Sequence, residues 1–170
     1  MAASKAQMVL RVLLGVCVLA VSAAAHAANN CPWLTEATAG GLLGGTAVNS
    51  YTDAVNGQPA VCSFVDKESD GMRELTITVE INPDSHMKLD GMMHACGASG
   101  QLLQAIGNEA AVCTMDTRKR QVSEKVVGRV RDQIFTITIH STVKDDAVLN
   151  SSTLPTKIYT ASEQVAGNLF

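Results

Sequence analysis

Aromatic side chains are scarce in this chain. Three Phe, two Tyr and one Trp among 170 residues leave few platforms on which nucleobases or sugar rings could stack. Basic charge is also limited: 13 Lys and Arg stand against 16 Asp and Glu. A mildly acidic surface argues against nucleic acid and against an anionic membrane face as partners. No C-x-x-C pair occurs, which removes the common structural zinc frameworks. No apolar run reaches the roughly 20 residues that span a bilayer core. No complete G-x-S-x-G elbow is present, because Gly97-Ala98-Ser99-Gly100 falls one residue short.

The most informative feature that is present lies at the N-terminus. Lys5 and Arg11 accompany an apolar run of about 10 residues, Val12 to Val21, too short for a membrane span. Ala25-His26-Ala27 then supplies an A-x-A pattern. This layout predicts a signal peptide over 1–27 and a single extracytoplasmic domain over 28–170. Without the leader, 143 residues remain, carrying 11 basic and 16 acidic side chains. A chain of that length can bury one core. Cys17 follows Val16 where a lipobox requires a small residue, so no lipid anchor and no stable membrane insertion are expected. The mature chain is expected in the periplasm or the medium.

Four cysteines survive processing: Cys31, Cys62, Cys96 and Cys113. An even count in an exported chain predicts two disulfides. Three pairings are possible, and we expect the nearest-neighbour one, Cys31–Cys62 and Cys96–Cys113.

The pattern beyond Cys31 reads as α+β. Thr35 is a natural N-cap for a short helix, with Leu34 before it, Glu36 in its first turn, Leu42 and Leu43 as core contacts, and Gly44-Gly45 as its stop. Residues 47–66 read as extended, with a turn at Asn56-Gly57. Asp70-Gly71 is a second turn signal. Leu75, Ile77, Val79 and Ile81 alternate with Thr76, Thr78 and Glu80, the period of a strand covered on one face. Residues 85–106 read as helical, in one or two pieces. Strands follow at 110–115, 122–131 and 134–141, the last two as a hairpin. Ile158, Ala161, Val165 and Leu169 recur at helical spacing. The expected fold is a mostly antiparallel sheet with helices packed on one face and two disulfides.

Several of these segments form an ordered set: Cys31-Pro32-Trp33-Leu34-Thr35 with Gly44 behind it, Cys62-Ser63-Phe64, Ile106-Gly107-Asn108-Glu109-Ala110, a strand hairpin, and Val165-Ala166-Gly167-Asn168-Leu169. The set resembles an uncharacterised family of exported bacterial lipoprotein-type α+β domains. That family tends to show Cys-x-Leu-Leu-Thr before a short helix, a Cys-x-Trp strand and a Gly-Leu-Gly-Asp-Glu-Ala turn. This chain departs in having no lipobox and in carrying Phe64 at the Trp position. The resemblance implies an extracytoplasmic α+β domain and no particular activity.

Chemistry-bearing residues are few. His86, Met87, Met92, Met93, His94 and Cys96 crowd one segment, and thioether with imidazole suits copper. On a helix His86, Asp90 and Met93 share a face, while the methionines could equally fill core gaps. Glu109 after a Gly-Asn turn is expected to cap backbone N–H groups rather than serve as an acid or base. Arg118, Lys119, Arg120, Lys125, Arg129 and Arg131 hold six of the 11 mature basic residues. They could meet an anionic envelope component, or simply protect a solvated hairpin tip from edge pairing. His140 falls on the outer strand face. Asn150-Ser151-Ser152 matches a glycosylation sequon, expected to be unused behind a bacterial-type leader. With no catalytic constellation and no cofactor motif, the expectation is a non-catalytic module that binds a protein or small ligand in the cell envelope. The alternatives are a copper-binding protein using segment 86–94 and an enzyme whose site the sequence does not display.

Overall fold

The computed structural model describes residues 30–97, 100–114 and 122–170. The expectations for the leader, for Ala98-Ser99 and for Arg118, Lys119 and Arg120 lie outside the described residues. Seven strands form one antiparallel sheet: β1 Val48–Thr52, β2 Ala60–Glu68, β3 Gly71–Ile81, β4 Gly100–Leu102, β5 Glu109–Thr114, β6 Val122–Val130 and β7 Gln133–Ser141. Their spatial order is β1-β2-β3-β7-β6-β5-β4. Three helices pack on it: α1 Glu36–Leu43, α2 Ser85–Ala95 and α3 Leu154–Leu169. The α+β class with an antiparallel sheet is as expected.

Alternation along the strands decides the two faces. Cys62 and Phe64 of β2, Leu75 and Ile77 of β3, Phe135, Ile137 and Ile139 of β7, and Val126 of β6 are all buried in one cluster. They share it with Leu43 of α1 and with Ile158, Ala161 and Val165 of α3. Ile81, at the end of the same alternation, lies beyond the helices and is 73% exposed.

The helices do not all share that face. Leu89 of α2 packs with Ala111, Cys113 and Val127, which alternate with the inward Ala110, Val112 and Val126 and so project from the other side. Consecutive apolar pairs, Ala110-Ala111 and Val126-Val127, give β5 and β6 a greasy patch on both faces. α2 covers the second one.

Local signals at α1 hold. Thr35 Oγ1 accepts from Thr38 N at 3.1 Å, and Gly44 ends the helix at φ 88°. Glu36, expected to serve the helix dipole, accepts from Asn49 N of the edge strand β1 at 3.0 Å. The expected helix over 85–106 stops at Ala95. Gly97 turns at φ 62°, and Gly100 pairs with Cys113 across the β4–β5 ladder. That pairing is non-local, so the helical spacing of Leu102, Leu103 and Ile106 is misleading.

The disulfides join Cys31 to Cys62 and Cys96 to Cys113, with Cα separations of 5.6 and 5.1 Å. The first ties the segment before α1 to the buried strand β2. The second ties the end of α2 to β5. Two disulfides indicate an oxidising compartment. Among the described residues no helix is long and apolar enough to cross a membrane.

Gly128 faces Phe135 across the β6–β7 ladder, and a Cβ there would sit 2.3 Å from the ring. The glycine makes room for the aromatic ring inside the core. Gly128→Ala should therefore cost roughly 1–3 kcal/mol, read by urea denaturation. The loss should be smaller in a Phe135→Leu background.

One charged side chain occupies an inward position of β3. Arg73 precedes Leu75 and Ile77 on the same face and is 6% exposed. Its Nε and Nη2 donate to Asp146 Oδ2 and Oδ1 at 2.9 and 3.1 Å. Nη1 donates to Asp66 Oδ2 at 3.0 Å and to Glu68 Oε1 at 2.7 Å. Asp146 also accepts from Ser141 Oγ at 2.5 Å and from the backbone N–H of Val148 and Leu149 at 2.8 and 3.1 Å. Burial alone would raise the Asp146 pKa, but Arg73, Ser141 and the two amides outweigh it and hold the carboxyl down at about 2 against an ordinary 3.8. A carboxyl whose folded pKa is depressed stabilises the fold above its unfolded pKa and loses that contribution as pH falls through the folded one. The Asp146 contribution, about 2 kcal/mol, should be full at pH 6 and disappear between about pH 4 and pH 2. Urea titrations of wild type and Asp146→Asn at both ends of that window should show the stability gap between them closing on acidification.

Candidate functional site

The segment with the most metal-ligating residue types does not converge. His86 Nδ1 lies 3.1 Å from Glu109 Oε2, and His94 Nε2 lies 3.6 Å from Asp90 Oδ2 one helical turn away. Met92 and Met93 lean on the Leu89 cluster, while Met87 is exposed. Among the described residues no three His, Cys, Asp or Glu side chains gather at a metal's reach. Cys96 and Cys113 are joined to each other.

Glu109 is not a turn cap. Its Oε1 accepts from Arg129 Nη2 at 2.7 Å, and the Arg129 guanidinium, ahead of the smaller effect of His86, holds its carboxyl below the usual range. The turn is held instead by Asn108, whose Oδ1 accepts from Arg131 N. Pairing Arg129 with Glu109 and setting Arg131 over the Phe170 ring at 5.9 Å disperses the described part of the basic cluster. Asn150 of the sequon is engaged in its own turn, accepting from Ser152 N and Thr153 N.

On the open face of the sheet, His140 is flanked in register by Glu74 on β3 and Ser123 on β6. The order of residue types is that of a nucleophile relay. His140 Nδ1, however, stands 3.8 Å from Glu74 Oε2, and the other Glu74 oxygen accepts from Ser63 and Thr76. All three strands are interior, so their backbone N–H groups serve the ladders and none is available to stabilise an oxyanion.

The strongest candidate is a cleft between α3 and the β4–β6 end of the sheet, with a volume of about 420 Å³. That is the size range of small-molecule sites. Val112 of β5 and Glu124 of β6 line it from the sheet, Leu103 and Gln101 from β4 and the residue after it, and Pro155, Thr156, Ile158 and Tyr159 from α3. Tyr159 Oη donates to Gln104 O at 3.3 Å, fixing the helix against the β4–β5 connection. Ile158 is buried in the main core beneath.

Glu124 stands at an inward position of β6, in step with Val122, Val126 and Val130. Its Oε2 is buried and accepts no hydrogen bond among the described residues. Burial pushes its carboxyl above the ordinary range. A buried carboxylate oxygen without a donor is costly, and no described side chain offsets it. The sequence carried a signal that was missed: the alternation Val122, Glu124, Val126, Gly128, Val130 puts an acid where the strand calls for an apolar residue.

A larger hollow, about 620 Å³, lies along β1 and β2. Its acidic groups Asp66 and Glu68 are already paired with Arg73.

Comparison with known proteins finds no matching family model, no matching curated protein and no matching solved structure. The functional reading therefore rests on the cleft's own geometry. If Glu124 is kept for binding rather than for the fold, removing it should help the unliganded protein. Glu124→Leu is expected to gain about 1 kcal/mol, or roughly 2–4 °C in Tm, by differential scanning calorimetry.

Proposed function

We propose that the chain is exported to the periplasm or the medium by cleavage near Ala27, and that it works there as a non-catalytic module binding a small ligand in the cleft beside Glu124. The observation that carries this reading is the half-buried carboxylate of Glu124, whose Oε2 has no donor among the described residues, on the wall of a cleft lined by the apolar side chains of Leu103, Val112 and Ile158. Proteins retain such costs where a ligand relieves them. The two disulfides and the A-x-A pattern support export. A binding role is favoured over chemistry because the described lining holds a single carboxylate and no histidine, cysteine or lysine, and its one phenol, Tyr159, is engaged with Gln104 O. Catalysis by acid–base or nucleophilic routes needs a second converging group.

The reading is tested on the exported protein. Its first residue, by mass spectrometry, should be Ala28. A small-molecule fragment mixture should shift the backbone amide resonances of Leu103, Val112, Glu124 and Ile158 together, and Thr156→Trp, which fills the exposed mouth, should abolish those shifts. Shifts spread over the open sheet face and insensitive to Thr156→Trp would overturn it.

A further inference from the structure

Resting on the cleft as the binding site, we propose that its ligand is a small organic cation, an ammonium group carried on a compact apolar body. Glu124 Oε2 is buried with no donor among the described residues, and no described basic side chain lines the cleft. The nearest lysine on α3, Lys157, points away, its Nζ donating to Leu42 O at 2.5 Å and approaching Gly41 O at 3.4 Å. Among the described residues the carboxylate therefore has no compensating charge.

A cation and a neutral donor differ at this carboxylate. A hydroxyl could supply a hydrogen bond to the half-buried carboxylate, but it would bring no opposite charge. An ammonium supplies both the donor and the opposite charge, and charge-assisted bonds are roughly twice as strong as neutral ones. An anionic ligand meets like charge at the carboxylate and an acidic protein at large, net −3, so it is disfavoured throughout.

Leu103, Val112 and Ile158 offer walls without charge, which suit an apolar body rather than a polyol or a polyamine. Gln101 and Thr156 stand at the exposed rim, where they can meet a secondary polar group. A volume of about 420 Å³ accommodates a single small molecule and not a folded partner.

The test uses three probes of one shape and three charges: 2-phenylethylamine, 2-phenylethanol and phenylacetate, titrated at neutral pH into the exported protein and followed by the amide resonances of Val112, Glu124 and Ile158. The amine should bind about tenfold more tightly than the alcohol or the acid. Glu124→Gln should weaken the amine about tenfold and leave the alcohol unchanged. In the wild-type protein, raising sodium chloride from about 20 mM to about 500 mM should weaken the amine and not the alcohol, a readout independent of any variant. Alcohol or acid binding as tightly as the amine, or amine affinity indifferent to both Glu124→Gln and salt, would overturn the cation assignment while leaving the cleft a binding site. Failure of all three probes to shift those resonances would overturn the binding reading as well.

Discussion

A guanidinium in a protein core must be paired, and much of this molecule is arranged around that demand. Arg73 enters the core from β3, a strand in the middle of the sheet. It is held by Asp146 from the connection after β7 and by Asp66 from the neighbouring strand. Asp146 is in turn held by Ser141 and by the amides of Val148 and Leu149. Those amides belong to the stretch that leads through Asn150 and Thr153 into α3. Removing either charged partner would strand the other in a low-dielectric site, a loss of order 3–5 kcal/mol. The cleft depends on this arrangement, because its helical wall begins where the pinned connection ends. Gly45, just after α1, packs against the Asp66 carboxylate with no room for a Cβ beside it, so the end of α1 abuts the same node.

The legible parts of the fold are those whose cause is local. Thr35 and Gly44 bracket α1 because an N-cap hydroxyl and a left-handed glycine act within a few residues. Period two in Leu75, Ile77 and Val79, and in Phe135, Ile137 and Ile139, is imposed by the pleat itself. Ile158, Ala161, Val165 and Leu169 mark α3 because one stripe must meet the sheet. The helical expectation fails over 96–97 and 100–106 because the structure there is decided at a distance, by the β5 ladder and by Cys113. The placement of α2 on the second face was open to reading in Ala110-Ala111 and Val126-Val127, but adjacent apolar residues in a strand are easily taken for noise in the alternation.

The site was harder to see for a related reason. Residues that advertise chemistry by type are spent on structure here. His86 and Glu109 brace α2 against β5 and β6 together with Arg129. Met92 and Met93 fill the space beneath α2. Cys96 and Cys113 form a cross-link. No clustering of reactive residue types along the chain marks the cleft, whose lining is drawn from β4, the strands beside it and α3, separated by up to about sixty positions of sequence.

Three charged side chains, Asp66, Arg73 and Glu124, break the inward apolar alternation of the sheet, and the contrast between the first two and the third is instructive. Arg73 is met by three carboxylates and its cost is offset within the protein. Glu124 stands in the corresponding situation on β6, yet its buried oxygen is met by nothing described. If Glu124 served the fold, a donor should have been drawn to it as Asp146 and Asp66 were drawn to Arg73, since a satisfied polar core is the more stable arrangement. A leucine or valine would fit the strand pattern at that position without the desolvation cost. An acid retained against both considerations, half-buried on the wall of an open cleft, is explained by a cation that arrives from outside and meets the part of the carboxylate that the cleft exposes.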